Sequence, residues 1–222
     1  MHHTVEKLNL IKNKVNDIIN KKQLKTNPKI IVVTKTFPIS NIKALLENGH
    51  IHYGENKIQE AEKKWEETKK NYKNLQLHMI GKLQSNKAKK AVKLFDYIHS
   101  LDNERLALKL SQYQKELNKK NKLFIQVNFE DEKQKSGIIP NELSDFYNYC
   151  VKKLFLNVIG LMCMPPMNSN SEKYFILLKQ NAKKLNLNEL SMGMSSDYEQ
   201  AVLNGSTHLR LGTSIMGKRD II

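Results

Sequence analysis

Apolar positions along this chain recur with two alternating periods, one near 3.6 residues and one of 2. Between residues 5 and 19, Val5, Leu8, Ile11, Val15, Ile18 and Ile19 share one stripe, which predicts an opening helix. Asn27-Pro28 breaks it, and Ile30-Ile31-Val32-Val33-Thr34 follows as a β-branched run, a buried strand. Ser40 stands where it can cap a helix that stops at Asn48-Gly49. Ile51-His52-Tyr53 predicts a second strand, and Lys57 to Lys70 a second crossover helix. The alternation then continues, with strands expected at 75–80, 97–99, 123–128, 158–163, 190–192 and 207–211. Helices are expected at 85–94, 103–118, 140–153, 171–185 and 196–204. Pro140 suits a first helical turn, and Asp197 and Glu199 suit the N-terminus of the last helix.

Strict alternation of strand and helix implies a parallel sheet. Eight strands, seven intervening helices and an N-terminal helix to cover the remaining gap predict an α/β fold, a single (β/α)8 TIM barrel. An open doubly wound sheet is the alternative, but it would need edge strands and usually has fewer units. No linker or low-complexity segment divides the chain, so one domain over residues 1–222 is expected.

Composition narrows the class. The chain has 222 residues, 40% hydrophobic and 27% charged, as ordinary globular proteins have. No apolar run approaches the roughly 20 residues that span a bilayer, and the N-terminus lacks a signal-peptide pattern, so a cytoplasmic protein without membrane contact is expected. Cys150 and Cys163 make neither a disulfide framework nor a metal-ligand spacing and read as buried thiols. The net charge of +15 comes from 34 Lys and only 3 Arg, in a chain with 24 Asn, a bias expected of A/T-rich coding. The densest basic patch, Lys82, Lys87, Lys89, Lys90 and Lys93, surrounds an apolar helix stripe of Ala88, Ala91, Val92 and Phe95 and reads as a solvated face. Phosphate tracking along RNA or DNA is the competing reading of that patch; scarce Arg argues against base readout.

The working face of such a barrel lies at the C-terminal strand ends. Those ends carry Lys35, Gly54-Glu55-Asn56, His78 with Gly81, His99-Ser100, Asn128, Met164, Gly193-Met194-Ser195, and Arg210 with Gly212-Thr213. Lys35 shares a strand face with Ile31 and Val33. A lysine partly desolvated there would have a lowered pKa and act as a nucleophile. Gly193-Met194-Ser195-Ser196-Asp197 and Gly212-Thr213-Ser214 follow strands seven and eight and can offer N–H groups and hydroxyls to a phosphate; N-capping is the simpler role for Ser195 or Ser196. Arg210, in a chain that uses Lys almost everywhere, implies a need for a planar guanidinium, for a ligand or for a structural ion pair. His50-Ile51-His52 has a chelating spacing but is expected to pack, and no nucleotide-binding glycine loop or nucleophile elbow is present.

A strand-one lysine, phosphate donors after strands seven and eight, and an Arg between them point to pyridoxal phosphate. With these residues the chain resembles the pyridoxal phosphate homeostasis proteins (YggS/PROSC type). The matching stretches include Val32-Val33-Thr34-Lys35, Tyr53-Gly54-Glu55-Asn56, the block from His78 to Lys87, Lys135-Ser136-Gly137, Gly160-Leu161-Met162, Met192 to Asp197 and Gly205 to Thr213. The resemblance implies a PLP fold type III barrel, like the alanine racemase N-terminal domain. It implies that Lys35 forms the Schiff base, that Ser195, Gly212 and Thr213 hold the phosphate, and that Arg210 faces the pyridine nitrogen. Asn56 and His78 match family positions near the cofactor. The departure is Met216, where the family usually has Phe. The implied role is pyridoxal 5'-phosphate binding and homeostasis by a monomer, with PLP-requiring apo-enzymes as acceptors and without a substantial turnover reaction. Alanine racemases add a β-domain that nothing after Ile222 is expected to supply. A racemase-like PLP enzyme is the alternative, and an RNA-binding protein is a third reading.

Overall fold

The computed structural model describes residues 2–130, 136–166 and 169–217. In chain order its elements begin with α1 (His3–Lys22), β1 (Lys29–Val33), α2 (Ile39–Glu47), β2 (His52–Glu55), α3 (Ile58–Trp65), α4 (Thr68–Asn71) and β3 (Gln76–Met79). A 3-10 turn at 85–87 leads into α5 (Ala88–Leu94), then come β4 (Tyr97–Leu101), α6 (Glu104–Glu116), β5 (Lys122–Gln126) and α7 (Leu143–Asn148). The chain continues through β6 (Val158–Met162), α8 (Ser171–Lys184), β7 (Glu189–Ser191), α9 (Tyr198–Leu203), β8 (His208–Leu211) and α10 (Thr213–Met216). Every strand pairs in parallel with the next, and β8 pairs with β1, so the sheet closes into an eight-stranded barrel. This is the expected (β/α)8 architecture.

Strand alternation separates two cores. Ile30, Val32, Tyr53, Leu77, Ile98, Leu123, Leu161, Leu209 and Leu211 belong to the larger cluster, between sheet and helices. Tyr97, Phe124 and Met162 form a smaller one inside the barrel. Trp65 of α3 is wholly buried against Tyr53 of β2, with ring centroids 4.9 Å apart; burying so large an apolar side chain is worth about 1.5–3 kcal/mol. The amphipathic α1 buries Val5, Leu8, Ile11 and Val15 and packs on α2, α9 and α10, over the seam between β8 and β1.

Four local expectations need correction. The helix expected at 57–70 is broken, because the Thr68 hydroxyl donates to the Lys64 carbonyl at 2.8 Å and competes with the helical ladder. Ser40 caps nothing: α2 begins after Pro38, and the Ser40 hydroxyl bonds to Asn41 Oδ1. Pro140 lies in a turn before α7, which starts at Leu143 and widens into a π-turn over 149–153. The single turn of α10 was not expected; Gly217, at φ 90°, ends it.

Candidate functional site

Strand β1 ends in a tight turn, and Lys35 is in it. Phe37 N–H donates to the Thr34 carbonyl at 3.1 Å, closing a turn over 34–37. Thr36 adopts φ 70°, a left-handed conformation that a β-branched residue rarely takes. Two groups of α3 hold that geometry. Lys64 Nζ donates to the Thr34 carbonyl at 2.8 Å and to Glu55 and Glu60 at 2.9 Å each, and Thr36 N–H donates to Glu60. Glu55, fully buried, also receives Thr34 Oγ1 at 2.7 Å and Trp65 Nε1 at 2.9 Å. Residues on both sides of Lys35 are therefore bonded to a buried ionic network outside the barrel, while Lys35 itself lines a cavity at the C-terminal rim.

The opposite wall of that cavity comes from the last two strands. After β7 the chain turns at Gly193, whose φ of 94° and whose contact with Ala201 leave no room for a β-carbon. Asp197 Oδ1 accepts Met194 N–H at 2.7 Å and shapes the loop. Ser195 Oγ accepts the N–H groups of Gly212 and Ser214, at 3.2 Å each, and meets Ser214 Oγ at 3.0 Å. Ser195 thus ties the loop after β7 to the turn after β8, which gathers N–H groups and hydroxyls in one place.

The cavity measures about 420 Å³ and is lined by Lys35, Asn56, Ser195, Arg210, Gly212 and Thr213, with Val33, Phe37, Ile80, Met164 and Met194 as apolar walls. Asn56 Oδ1 is buried there without a hydrogen-bond partner among the described residues. An added β-carbon on Gly81 would lie 2.4 Å from the Asn56 carbonyl, so only glycine lets the loops after β2 and β3 approach this closely. Arg210 is 4% exposed; Nη1 donates to Ser191 Oγ at 2.6 Å and Nη2 to the Cys163 carbonyl at 2.9 Å. Burial pushes its pKa down, but a guanidinium remains charged at neutral pH. A cation, an amine, an orphaned buried carbonyl and clustered N–H and hydroxyl donors form a set suited to a phosphorylated aromatic aldehyde. A neighbouring cavity of about 270 Å³, sharing Met164, has no basic residue among the described residues that line it.

Of the seven residues singled out in the sequence, six share this cavity and His78 does not. Its ring is fully buried lower in the barrel, between His52 and His99, and the β3 strand face reaches the cavity two residues later, at Ile80. Sequence reasoning missed the Glu55–Lys64–Glu60 network. The i,i+4 spacing of Glu60 and Lys64 was its one signal, and most such pairs are solvated. Cys150 and Cys163 are free, and burial pushes each thiol up to about 12. In the lysine patch, Lys89, Lys90 and Lys93 pair with Glu116, Glu62 and Glu66 across neighbouring helices, so carboxylates offset much of its charge. Lys135, in one of the matching stretches, lies outside the described residues. No helix among the described residues is long and apolar enough to cross a membrane.

Residues 8–220 match the family model of the alanine racemase N-terminal domain. A pyridoxal phosphate homeostasis protein of Synechocystis is 38% identical over 200 residues, 86% of this chain and 91% of that protein. One from Haemophilus influenzae is 33% identical over 96% of this chain and 94% of its own. PipY of Synechococcus elongatus, solved with pyridoxal phosphate bound, superposes with a TM-score of 0.80 at 33% identity, covering 91% of this chain and all of PipY. An alanine racemase of Clostridium difficile shares the fold at 16% identity and a TM-score of 0.67, with 56% of its length matched.

Proposed function

The chain belongs to the pyridoxal phosphate homeostasis proteins, and from that membership we propose that it binds pyridoxal 5'-phosphate at the barrel rim and holds it as a Schiff base on Lys35. It then serves intracellular PLP homeostasis, with PLP-requiring apo-enzymes as acceptors, and runs no substantial turnover of its own. The observation that carries this reading is the meeting of Lys35, Arg210, the orphaned Asn56 Oδ1 and the Ser195–Gly212–Thr213 donors in one cavity.

Pyridoxal phosphate supplies an aldehyde, which an amine captures reversibly, and a ring that can withdraw electrons from a bound amino acid. Lys35 is the amine, its backbone held by the turn over 34–37. Ser195, Thr213 and the N–H groups beside Gly212 are assigned to the phosphate, whose charge strengthens each bond. Arg210 is assigned to the ring nitrogen. A permanently charged donor there disfavours a proton on that nitrogen by like-charge repulsion, so the ring stays a weak electron sink. That assignment supports storage over catalysis.

The test is a visible absorption band in the purified protein, with borohydride fixing the cofactor on Lys35 and Lys35→Ala losing the band while keeping the barrel. Reduction onto another lysine overturns the assignment. In heavy water, L- and D-alanine should keep their α-protons when followed by NMR. Fast exchange with either enantiomer, lost in Lys35→Ala, would replace the carrier reading with the racemase-like alternative.

A further inference from the structure

Barrel interiors of this kind are commonly filled by branched apolar residues. Here, among the described residues, the interior holds His52 of β2, His78 of β3, His99 of β4 and His208 of β8, linked by a chain of ring contacts. Three of them form a column. His52 Nδ1 lies 3.0 Å from His78 Nε2, and His78 Nδ1 lies 3.0 Å from His99 Nε2. His99 Nδ1 lies 2.8 Å from Ser191 Oγ, which accepts Arg210 Nη1 at 2.6 Å. His78, His99 and Ser191 are fully buried, whereas His52 is partly open at the strand-start end of the barrel. His78 stacks on Tyr97 at 4.2 Å and His99 on Phe124 at 4.3 Å, which fixes both ring planes. His208 packs beside the column but bonds elsewhere, to Thr207 Oγ1 at 2.9 Å with Glu189 3.2 Å away.

All three rings are neutral at pH 7. Burial is the main cause, and it pushes His52 down to about 4. The charges of His208, Lys29 and Lys122 contribute to that same shift, and Asp96 opposes them. His78 faces His99, His208, His52 and Lys29; His99 faces His208 and Arg210. A neutral imidazole has one N–H and one bare nitrogen, so fixing the tautomer of one ring in the column fixes all three. Two directions exist. With the proton on Nδ1 throughout, His99 donates to a Ser191 oxygen already taken by Arg210, and the serine proton has no acceptor among the described residues. With the proton on Nε2 throughout, Ser191 donates to His99 Nδ1 and keeps a lone pair for Arg210. The final N–H then sits on His52, at the open end. Only the second direction satisfies every buried polar atom of the column, and a buried donor left unpaired is costly.

We infer that Ser191, His99, His78 and His52 are positioning residues for Arg210, a column running in the Nε2–H sense that turns the Ser191 lone pair toward the guanidinium. Through it, the inside of the barrel sets the orientation of the cavity's cation. The link to the cofactor rests on the reading of Arg210 given above; the column does not.

The column is tested first on the cofactor-free wild-type protein, by nitrogen NMR of labelled histidines. His78 and His99 should be Nε2–H tautomers with bare Nδ1 atoms, and Nδ1–H tautomers would overturn the inference. In the pyridoxal phosphate-loaded protein, His78→Phe cuts the column two bonds away from Arg210, outside the cavity. Cofactor release should then speed up several-fold, and the visible band should change its pH profile. Ser191→Ala should do the same, and Ser191→Thr, which keeps the hydroxyl, should restore both. Unchanged release and pH profile in His78→Phe and Ser191→Ala sink the idea. A protein that shows the expected tautomers yet binds no pyridoxal phosphate would instead refute the cofactor reading and leave the column standing.

Discussion

Ser195 shows how much one hydroxyl can organise. It satisfies the N–H groups of Gly212 and Ser214 at once, so removing it orphans two donors and loosens the turn proposed to hold the phosphate. A charge-assisted hydrogen bond is worth about 1.5–3 kcal/mol. The Ser195→Ala, Thr213→Val double variant should therefore bind pyridoxal phosphate at least tenfold more weakly, as measured by equilibrium dialysis. Pyridoxal, which lacks the phosphate, should bind wild type and variant alike; equal wild-type affinity for pyridoxal and its phosphate would count against this site. Lys35, Asn56, Ser195, Arg210, Gly212 and Thr213 were legible in the sequence because each ends or follows a strand, and strand ends meet at one rim. His78 lies below the cavity for a related reason. Its strand face continues to Ile80, and the sequence pattern alone does not say at which residue the interior opens into the cavity.

Helix α3 owes its place to a charge network as well as to its apolar face. Lys64 is 7% exposed and its partner Glu55 is fully buried. Breaking a buried ion pair by removing one partner typically costs about 3–5 kcal/mol, because the other charge is left uncompensated. Lys64→Met should lower the thermal midpoint sharply and slow Schiff base formation, since the Thr34 carbonyl loses its lysine donor. Adding Glu55→Gln to Lys64→Met should recover part of that loss, and a double variant no better than the single one would argue against the pairing. The strands of this barrel were readable from β-branched and apolar runs, and most helices from their stripes. The break before Thr68 and the π-turn after α7 were not, because both depend on which carbonyl a hydroxyl or an amide finds once the chain has folded.

At the scale of the whole molecule, the buried histidines make stability depend on pH. Burial pushes His50 and His52 down to about 4 and holds His78 and His99 well below the usual imidazole range. In the unfolded chain these rings titrate near about 6.5, so between the two values the unfolded state binds more protons. Stability is thus full above about pH 6.5 and falls as the solution is acidified, by up to about 1.4 kcal/mol per pH unit for each ring. Four rings titrating together remove at most about 11 kcal/mol within about two units, which is comparable with an ordinary folding stability of about 5–15 kcal/mol. Far-UV circular dichroism should show acid unfolding centred between about pH 4 and 6, and a barrel intact below pH 4 would contradict this account. The closed sheet has a further consequence, in time. Lys35 follows β1, Ser195 follows β7, Gly212 and Thr213 follow β8, and α1 packs on α9 and α10. During synthesis Lys35 therefore leaves the ribosome well before the residues after β7 and β8 that form the opposite wall of the cavity. A nascent chain that has made β1 but not β8 therefore presents a lysine without a site, and cofactor uptake waits until α1 can seal the seam against α9 and α10.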